Sequence, residues 1–167
     1  MRKILIFSFA IIMFFCQIIV PSVRAISDEQ SKIIVDNCDS IQDDLKKVQK
    51  SDAKVRVYLG RYYETILNKF ITPLNVRLVE NNLSDNNLID NQNSFANARA
   101  SFVADFVEYQ KALEELVGVN CKSESDKFYS KLEDTRKKRS TVKSDVVKLN
   151  KLASKQVELV KGLEEKL

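Results

Sequence analysis

FYSKLEDTRKKRSTVKSDVVKLNKLASKQVELVKGLEEKL, residues Phe128–Leu167, is the stretch whose reading decides the fold. Steps of four and three place Phe128, Leu132, Thr135, Arg139, Val142, Val146, Leu149, Ala153, Gln156, Val160, Leu163 and Leu167 on one stripe. No proline interrupts it, and its single glycine is Gly162 near the end. A rhythm of 3.5 residues sustained over this length marks a long helix whose seam winds against partner helices. Such a stripe cannot be buried by one helix alone, so the rest of the chain is expected to supply the partners.

Toward the N-terminus, the same alternating step runs through Ile34, Cys38, Ile41, Leu45, Val48, Asp52, Val55, Leu59, Tyr62 and Ile66, then slips to Phe70. Tyr58, Tyr63, Leu67 and Ile71 widen this stripe, as expected for a helix with two neighbours. Pro73 removes one backbone bond and crowds the preceding turn, which predicts a kink there, with Leu74, Leu78 and Val79 continuing the helix. The polar run Asn81-Asn82-Leu83-Ser84-Asp85-Asn86-Asn87 breaks it. The second stripe is Leu88, Gln92, Phe95, Arg99, Phe102, Phe106, Tyr109, Leu113 and Leu116. Beside it, Ala96, Ala100, Val103 and Val107 form a small-residue flank where a further helix could approach closely. Gly118 is the expected stop. Ser27 or Ser31, Ser84, and Ser123 or Ser125 are the expected caps of the three helices. The chain is thus predicted to be all-α, an elongated up-down-up three-helix bundle or coiled coil with helices at about 31–81, 84–118 and 124–167.

Residues 1–25 read as a signal peptide ahead of one domain, residues 26–167. Arg2 and Lys3 precede the apolar run Ile4–Val20, Pro21 breaks it, and Val23-Arg24-Ala25 fits a small-x-small cleavage pattern. An uncleaved anchor is the competing reading, and membrane contact is expected only through this segment. The formal charge of +4 belongs mostly to it: Arg2, Lys3 and Arg24 come before the first acid, Asp28, and leave 24 basic residues (27 − 3) against 23 acidic. A nucleic-acid footprint needs a larger one-signed excess, so no nucleic-acid partner is expected. The basic residues Arg136-Lys137-Lys138-Arg139, Lys143, Lys148, Lys151 and Lys155 are mixed with Glu133, Asp134, Asp145 and Glu158, the pattern of a solvated helix face.

The chain has no histidine, the commonest acid–base group and metal ligand. It has no Gly-rich phosphate loop, no ligand cluster and no nucleophile–histidine pair. No catalytic residue, cofactor or metal is therefore expected.

Past the signal, two cysteines remain, Cys38 and Cys121, and in an exported protein such a pair is expected to be bridged. Thirty-five residues separate Cys38 from Pro73 and also Asp85 from Asn120 (73 − 38; 120 − 85), so antiparallel arms of about 50 Å bring both thiols to one end. The bridge would close an 83-residue loop (121 − 38), worth about 4 kcal/mol on the loop-entropy account. This register sets residue i of the first helix opposite about 159 − i of the second, and residue j of the third opposite about 244 − j. Asp52, Asp105 and Arg139 then fall at one height, and a buried or half-buried ionic layer is expected there, fixing register. The same arithmetic sets Arg99 opposite Gly60 and near Asp145, with Gly60 making room for the guanidinium.

The strings Cys38-Asp39-Ser40-Ile41, Arg56-Val57-Tyr58-Leu59-Gly60-Arg61-Tyr62-Tyr63-Glu64 and Phe70-Ile71-Thr72-Pro73-Leu74-Asn75-Val76-Arg77-Leu78, with Tyr109-Gln110 and Cys121, resemble small exported helical proteins of ultrasmall candidate-phylum bacteria. That resemblance implies export, helicity and the two cysteines, and it implies no activity. In architecture the chain is similar to the periplasmic Skp-type holdase chaperones, without a recognisable strand-forming trimerisation segment. The expected function is a non-enzymatic structural or protein-interaction module at the cell surface or envelope, with a holdase chaperone or carrier for apolar clients as the alternative. Long helices with incomplete burial can also pair with a second copy.

Overall fold

The described residues are all-helical. A computed structural model describes residues 26–83 and 85–165, and the expected signal peptide, residues 1–25, lies outside them. The elements are α1 (Asp28–Asp36), α2 (Cys38–Thr65), a π-helical turn (Ile66–Ile71), α3 (Thr72–Glu80), α4 (Asn86–Val117) and α5 (Ser125–Glu164).

The first rod starts at a capping box. Ser27 Oγ accepts from the Gln30 N–H, and Gln30 Oε1 accepts from the Ser27 N–H. A one-residue hitch at Asn37 separates α1 from α2, while the Ile41 N–H still donates to the Asn37 carbonyl at 3.0 Å. The expected kink at Pro73 is replaced by a π turn just before it. There the Thr72 N–H donates to the Leu67 carbonyl, five residues back rather than four. A wider turn accommodates a ring that cannot donate and would crowd the Lys69 carbonyl. The extra residue also rotates the helix beyond it, so Ile71 is buried and the expected seam residue Phe70 is exposed.

α3 ends in a Schellman arrangement. Asn82 takes φ 58°, the Leu83 N–H donates to the Leu78 carbonyl at 2.8 Å, and the Asn82 N–H to the Val79 carbonyl at 3.1 Å. Asparagine is the residue other than glycine that best tolerates that left-handed geometry. Ser84, the expected cap of the next helix, lies outside the described residues, and Asp85 caps α4 by accepting from the Asn87 N–H at 2.7 Å. α5 has no side-chain cap. Ser125 Oγ instead pairs with Ser31 Oγ at 2.7 Å, tying the start of α5 to α1.

Partners across the helices show the packing. As numbers rise along α2 and α3 they fall along α4: Cys38 meets Cys121, Gln42 meets Val119, Arg56 meets Gln110, Tyr63 meets Phe102 and Asn75 meets Leu88. The inversion repeats between α4 and α5, where Thr135 bonds the Ala112 carbonyl and Asn91 bonds the Leu152 carbonyl.

α4, with 32 residues or about 48 Å, is the middle element and carries half of the buried apolar residues: Leu88, Phe95, Ala98, Phe102, Phe106, Tyr109, Ala112, Leu113 and Leu116. Tyr63, Phe102, Phe106 and Tyr109 form a ladder of edge-to-face rings with centroids 5.6 to 5.8 Å apart. Along α5 the buried residues recur every seven: Phe128, Thr135, Val142, Leu149 and Gln156. The alternate seam residues Leu132, Val146, Ala153 and Val160 are half-buried, and Arg139 is exposed. Half of the expected seam is therefore buried; of the other half, Leu132, Val146 and Ala153 pack against the edge of the core, and Arg139, Val146 and Val160 border open space beside α5.

The small-residue flank of α4 takes no helix: Ala100, Val103 and Val107 are exposed.

Candidate functional site

At one end the expected disulfide is present. Cys38 and Cys121 are bonded with Cα atoms 5.6 Å apart. The helices position them by simple means: Cys38 opens α2 just past the Asn37 hitch, and Cys121 sits in the turn after α4. Gln42 Nε2 donates to the Val119 carbonyl at 2.8 Å, holding that turn against α2. Lys122 and Asp39 close the outside at 2.7 Å.

The expected ionic layer is only partly assembled. Arg139 Nη2 lies 3.3 Å from Asp52 Oδ2, and Tyr109 Oη donates to the same oxygen at 2.6 Å. The Asp52 side chain is 13% exposed, whereas that of Arg139 is 59% exposed, so the pair is an acid sunk into the wall beneath a surface guanidinium. Burial, then the hydrogen bond to Asp52, push the Tyr109 phenol well above its ordinary range, so it stays a donor. Asp105 does not join them. It turns to α5, where Asp145 is its neighbour. The reason is rotational: Tyr109 occupies the α4 position that faces Asp52, and Asp105 lies a turn earlier on the side facing α5.

Asp105 and Asp145 form a carboxyl pair. Asp145 Oδ2 is shut off from solvent with no protein donor facing it, a place where a carboxyl keeps its proton. Burial, then the neighbouring Asp105 carboxyl, push Asp145 up to about 6, with Lys148 opposing. Arg99, expected near Asp145, instead reaches Glu64 at 3.5 Å. Gly60 makes no room for it, since a Cβ there would meet nothing within 4 Å.

Sequence reasoning missed a second polar cluster at the far end. Asn75 Nδ2 donates to the Leu88 carbonyl at 3.1 Å and to Gln92 Oε1 at 2.7 Å. Asn91 Nδ2 donates to Gln156 Oε1 at 2.8 Å and to the Leu152 carbonyl at 3.1 Å. Asn75, Asn91 and Gln156 are all buried. The available signal was Gln156 at a seam position and Gln92 at another, amides on facing stripes. A buried amide at a seam position is a means of fixing register.

Between the first rod, α2 to α3, and α5 runs an open valley whose upper part is floored by α4. Its upper part, about 420 Å³, is walled by Val55 and Leu59 on one side and Val142 and Val146 on the other, over Phe106 and Tyr109. Arg136, Arg139 and Lys143 stand on its α5 rim. Its lower part, about 350 Å³, lies between Phe70, Ile71 and Leu74 and the α5 residues Val157 and Val160. The Tyr63 Oη–Asn150 Oδ1 hydrogen bond, 3.1 Å, bridges the valley between them. On the lip, Tyr58 and Tyr62 stack with centroids 6.4 Å apart, and both are exposed. In the basic run on α5, Arg136 pairs with Glu133, Lys138 with Glu108 and Asp134, and Arg139 with Asp52, while Lys137, Lys143, Lys148, Lys151 and Lys155 form no ion pair among the described residues.

Among the described residues no group of His, Cys, Asp and Glu is placed to hold a metal, and no helix is long and apolar enough to cross a membrane. Comparison with protein-family models, curated proteins and solved structures returned no match.

Proposed function

We propose that the protein is an exported, up-down-up three-helix bundle with a coiled-coil seam on α5, acting as a non-enzymatic protein-interaction module at the cell surface or envelope. The valley between α2 and α5 carries the reading. A spacer gains nothing from leaving Val55, Tyr58, Tyr62, Phe70 and Val157 exposed along one face, whereas a docking surface needs them. The Cys38–Cys121 bond favours an oxidising compartment, in keeping with export directed by residues 1–25. The resemblance to exported helical proteins of ultrasmall bacteria points the same way.

A photo-crosslinking amino acid at Phe70 or Val157, with one at Lys47 on the charged outer face as control, tests this in a bacterial envelope. Adducts from the two valley positions and none from Lys47 are expected. Absence of adducts at all three refutes the interaction module.

The exposed aromatics on the lip also favour a second reading, a holdase or carrier for apolar clients. It requires suppression of aggregation of a chemically unfolded client at near-stoichiometric ratio. A docking module leaves that aggregation unchanged.

A further inference from the structure

We infer that the valley receives an amphipathic helix of another protein whose flanks are acidic. The inference rests on the interaction-module reading and specifies the partner that the surface fits. Shape supplies the first argument. The two open stretches lie along α5 at Arg136–Val146 and Gln156–Glu164, and a helix lying over both, across the Tyr63–Asn150 bridge, spans about 42 Å at helical rise, more than a compact ligand covers.

The walls supply the second. On α5 the residues Val146, Val157 and Val160, and on the opposite wall Val55, Leu59 and Phe70, offer apolar side chains at helical spacing. A helix presenting anchors at i, i+3 or i+4, and i+7 lies down in such a groove.

Charge supplies the third and selects the partner. The upper rim holds Arg136, Arg139 and Lys143 against Asp52, with Arg136 also held by Glu133 at 2.8 Å, whereas in the lower stretch Lys161 is balanced by Glu164. Asp52 is already occupied by Tyr109 and Arg139, and Lys143 forms no ion pair among the described residues. An incoming helix with acidic residues beside its apolar stripe would meet this rim with opposite sign. A second copy of this chain in parallel would set the same basic residues against each other.

The absence of tryptophan makes the test direct, because a single tryptophan on a probe peptide is read without background. Two synthetic helical peptides, with Leu at heptad positions a and d and either Glu or Lys at e and g, are titrated with the full described domain, disulfide intact. The Glu peptide is expected to bind at least about tenfold more tightly than the Lys peptide, and to weaken as salt rises. Val157→Asp, at a position 55% exposed, should weaken the Glu peptide about tenfold with the helical circular dichroism unchanged. Lys143→Glu should weaken the Glu peptide about threefold and strengthen the Lys peptide.

Equal binding of both peptides overturns the acidic partner, while crosslinks from Phe70 and Val157 would still stand for the interaction module. Binding of neither peptide overturns the helical occupant. Sedimentation showing a dimer that Val157→Asp dissociates assigns the valley to a second copy and also overturns the inference. So does binding to vesicles of anionic lipid that the Glu peptide fails to displace.

Discussion

Replacing Asp145 with asparagine should stabilise the protein at neutral pH and leave it unchanged in acid. In the folded chain Asp145 titrates at about 6, against 3.8 for an unperturbed carboxyl, because burial and the Asp105 carboxyl both disfavour its charge. The folded state therefore holds more protons than the unfolded state between those values. By linkage, stability from this group is complete below about 4 and is lost as pH rises through about 6. The shift of about two units corresponds to a ceiling of about 3 kcal/mol. Asp145 is only half-buried, so solvent screening reduces this to about 1 kcal/mol. An amide at the same place never ionises. Asp145→Asn should therefore raise the melting temperature at pH 7.5 by about 3 °C, with no difference at pH 4. Thermal melts followed by circular dichroism at pH 4, 5, 6 and 7.5, taken as variant minus wild type, remove the contributions of all other carboxylates. Asp105→Asn should give a similar gain, and the double variant less than the sum, because the two act through one repulsion. A difference that is constant across pH, or a variant less stable at pH 7.5, would refute the raised Asp145 pKa as the cause.

The packing leads to three further expected outcomes. Gly60→Ala should stabilise by about 1 kcal/mol in urea titration, since α2 is continuous there and the new methyl meets nothing within 4 Å; destabilisation would restore the close approach of Arg99. Replacing both Cys38 and Cys121 with serine should lower stability by about 4 kcal/mol, and reductant should reproduce the shift in wild type alone. Phe102→Ala, at the fully buried middle of the ring ladder, should cost about 3–5 kcal/mol; a cost below 1 kcal/mol would mean the ladder is not the core.

Much of the fold was legible because two chemical markers lay at matching distances along the chain. The sequence register set residue i of the first rod opposite about 159 − i of α4, and observed partners add to 159 at Cys38–Cys121 and 166 at Arg56–Gln110. For α4 and α5 the expected sum was about 244; Asn91 with Leu152 adds to 243 and Thr135 with Ala112 to 247. What failed was rotation about each helix axis. The alternating step marked Tyr62 as seam, yet Tyr63 is the buried ring. In a straight helix the 25 residues from Cys38 to Tyr63 (63 − 38) return to within about 20° of the starting direction, while Tyr62 points elsewhere. The one-residue insertion of the π turn then moved burial from Phe70 to Ile71. Heights were readable from numbering alone, but facing directions depend on whether a helix supercoils. That is why Asp52 and Arg139 were brought together and Asp105 was not.

The same rotational difference explains the open valley. α5 keeps its seven-residue period and turns Phe128, Thr135, Val142, Leu149 and Gln156 onto α4. α2 turns Tyr63 onto α4 as a straight helix would, so its own seven-residue stripe, with Val55, Leu59 and Tyr62, swings toward α5, which it reaches at Asp52 through Arg139. Phe106 and Tyr109 from α4 project between the two and occupy the space a direct α2–α5 contact would need. Shrinking that wedge should close the valley: Phe106→Leu would let α2 and α5 approach at modest cost to the core, burying Val55 and Val146 against each other. The apolar strip is thus a consequence of two large rings one turn apart on the middle helix, and its width is set by the same residues that hold the core together.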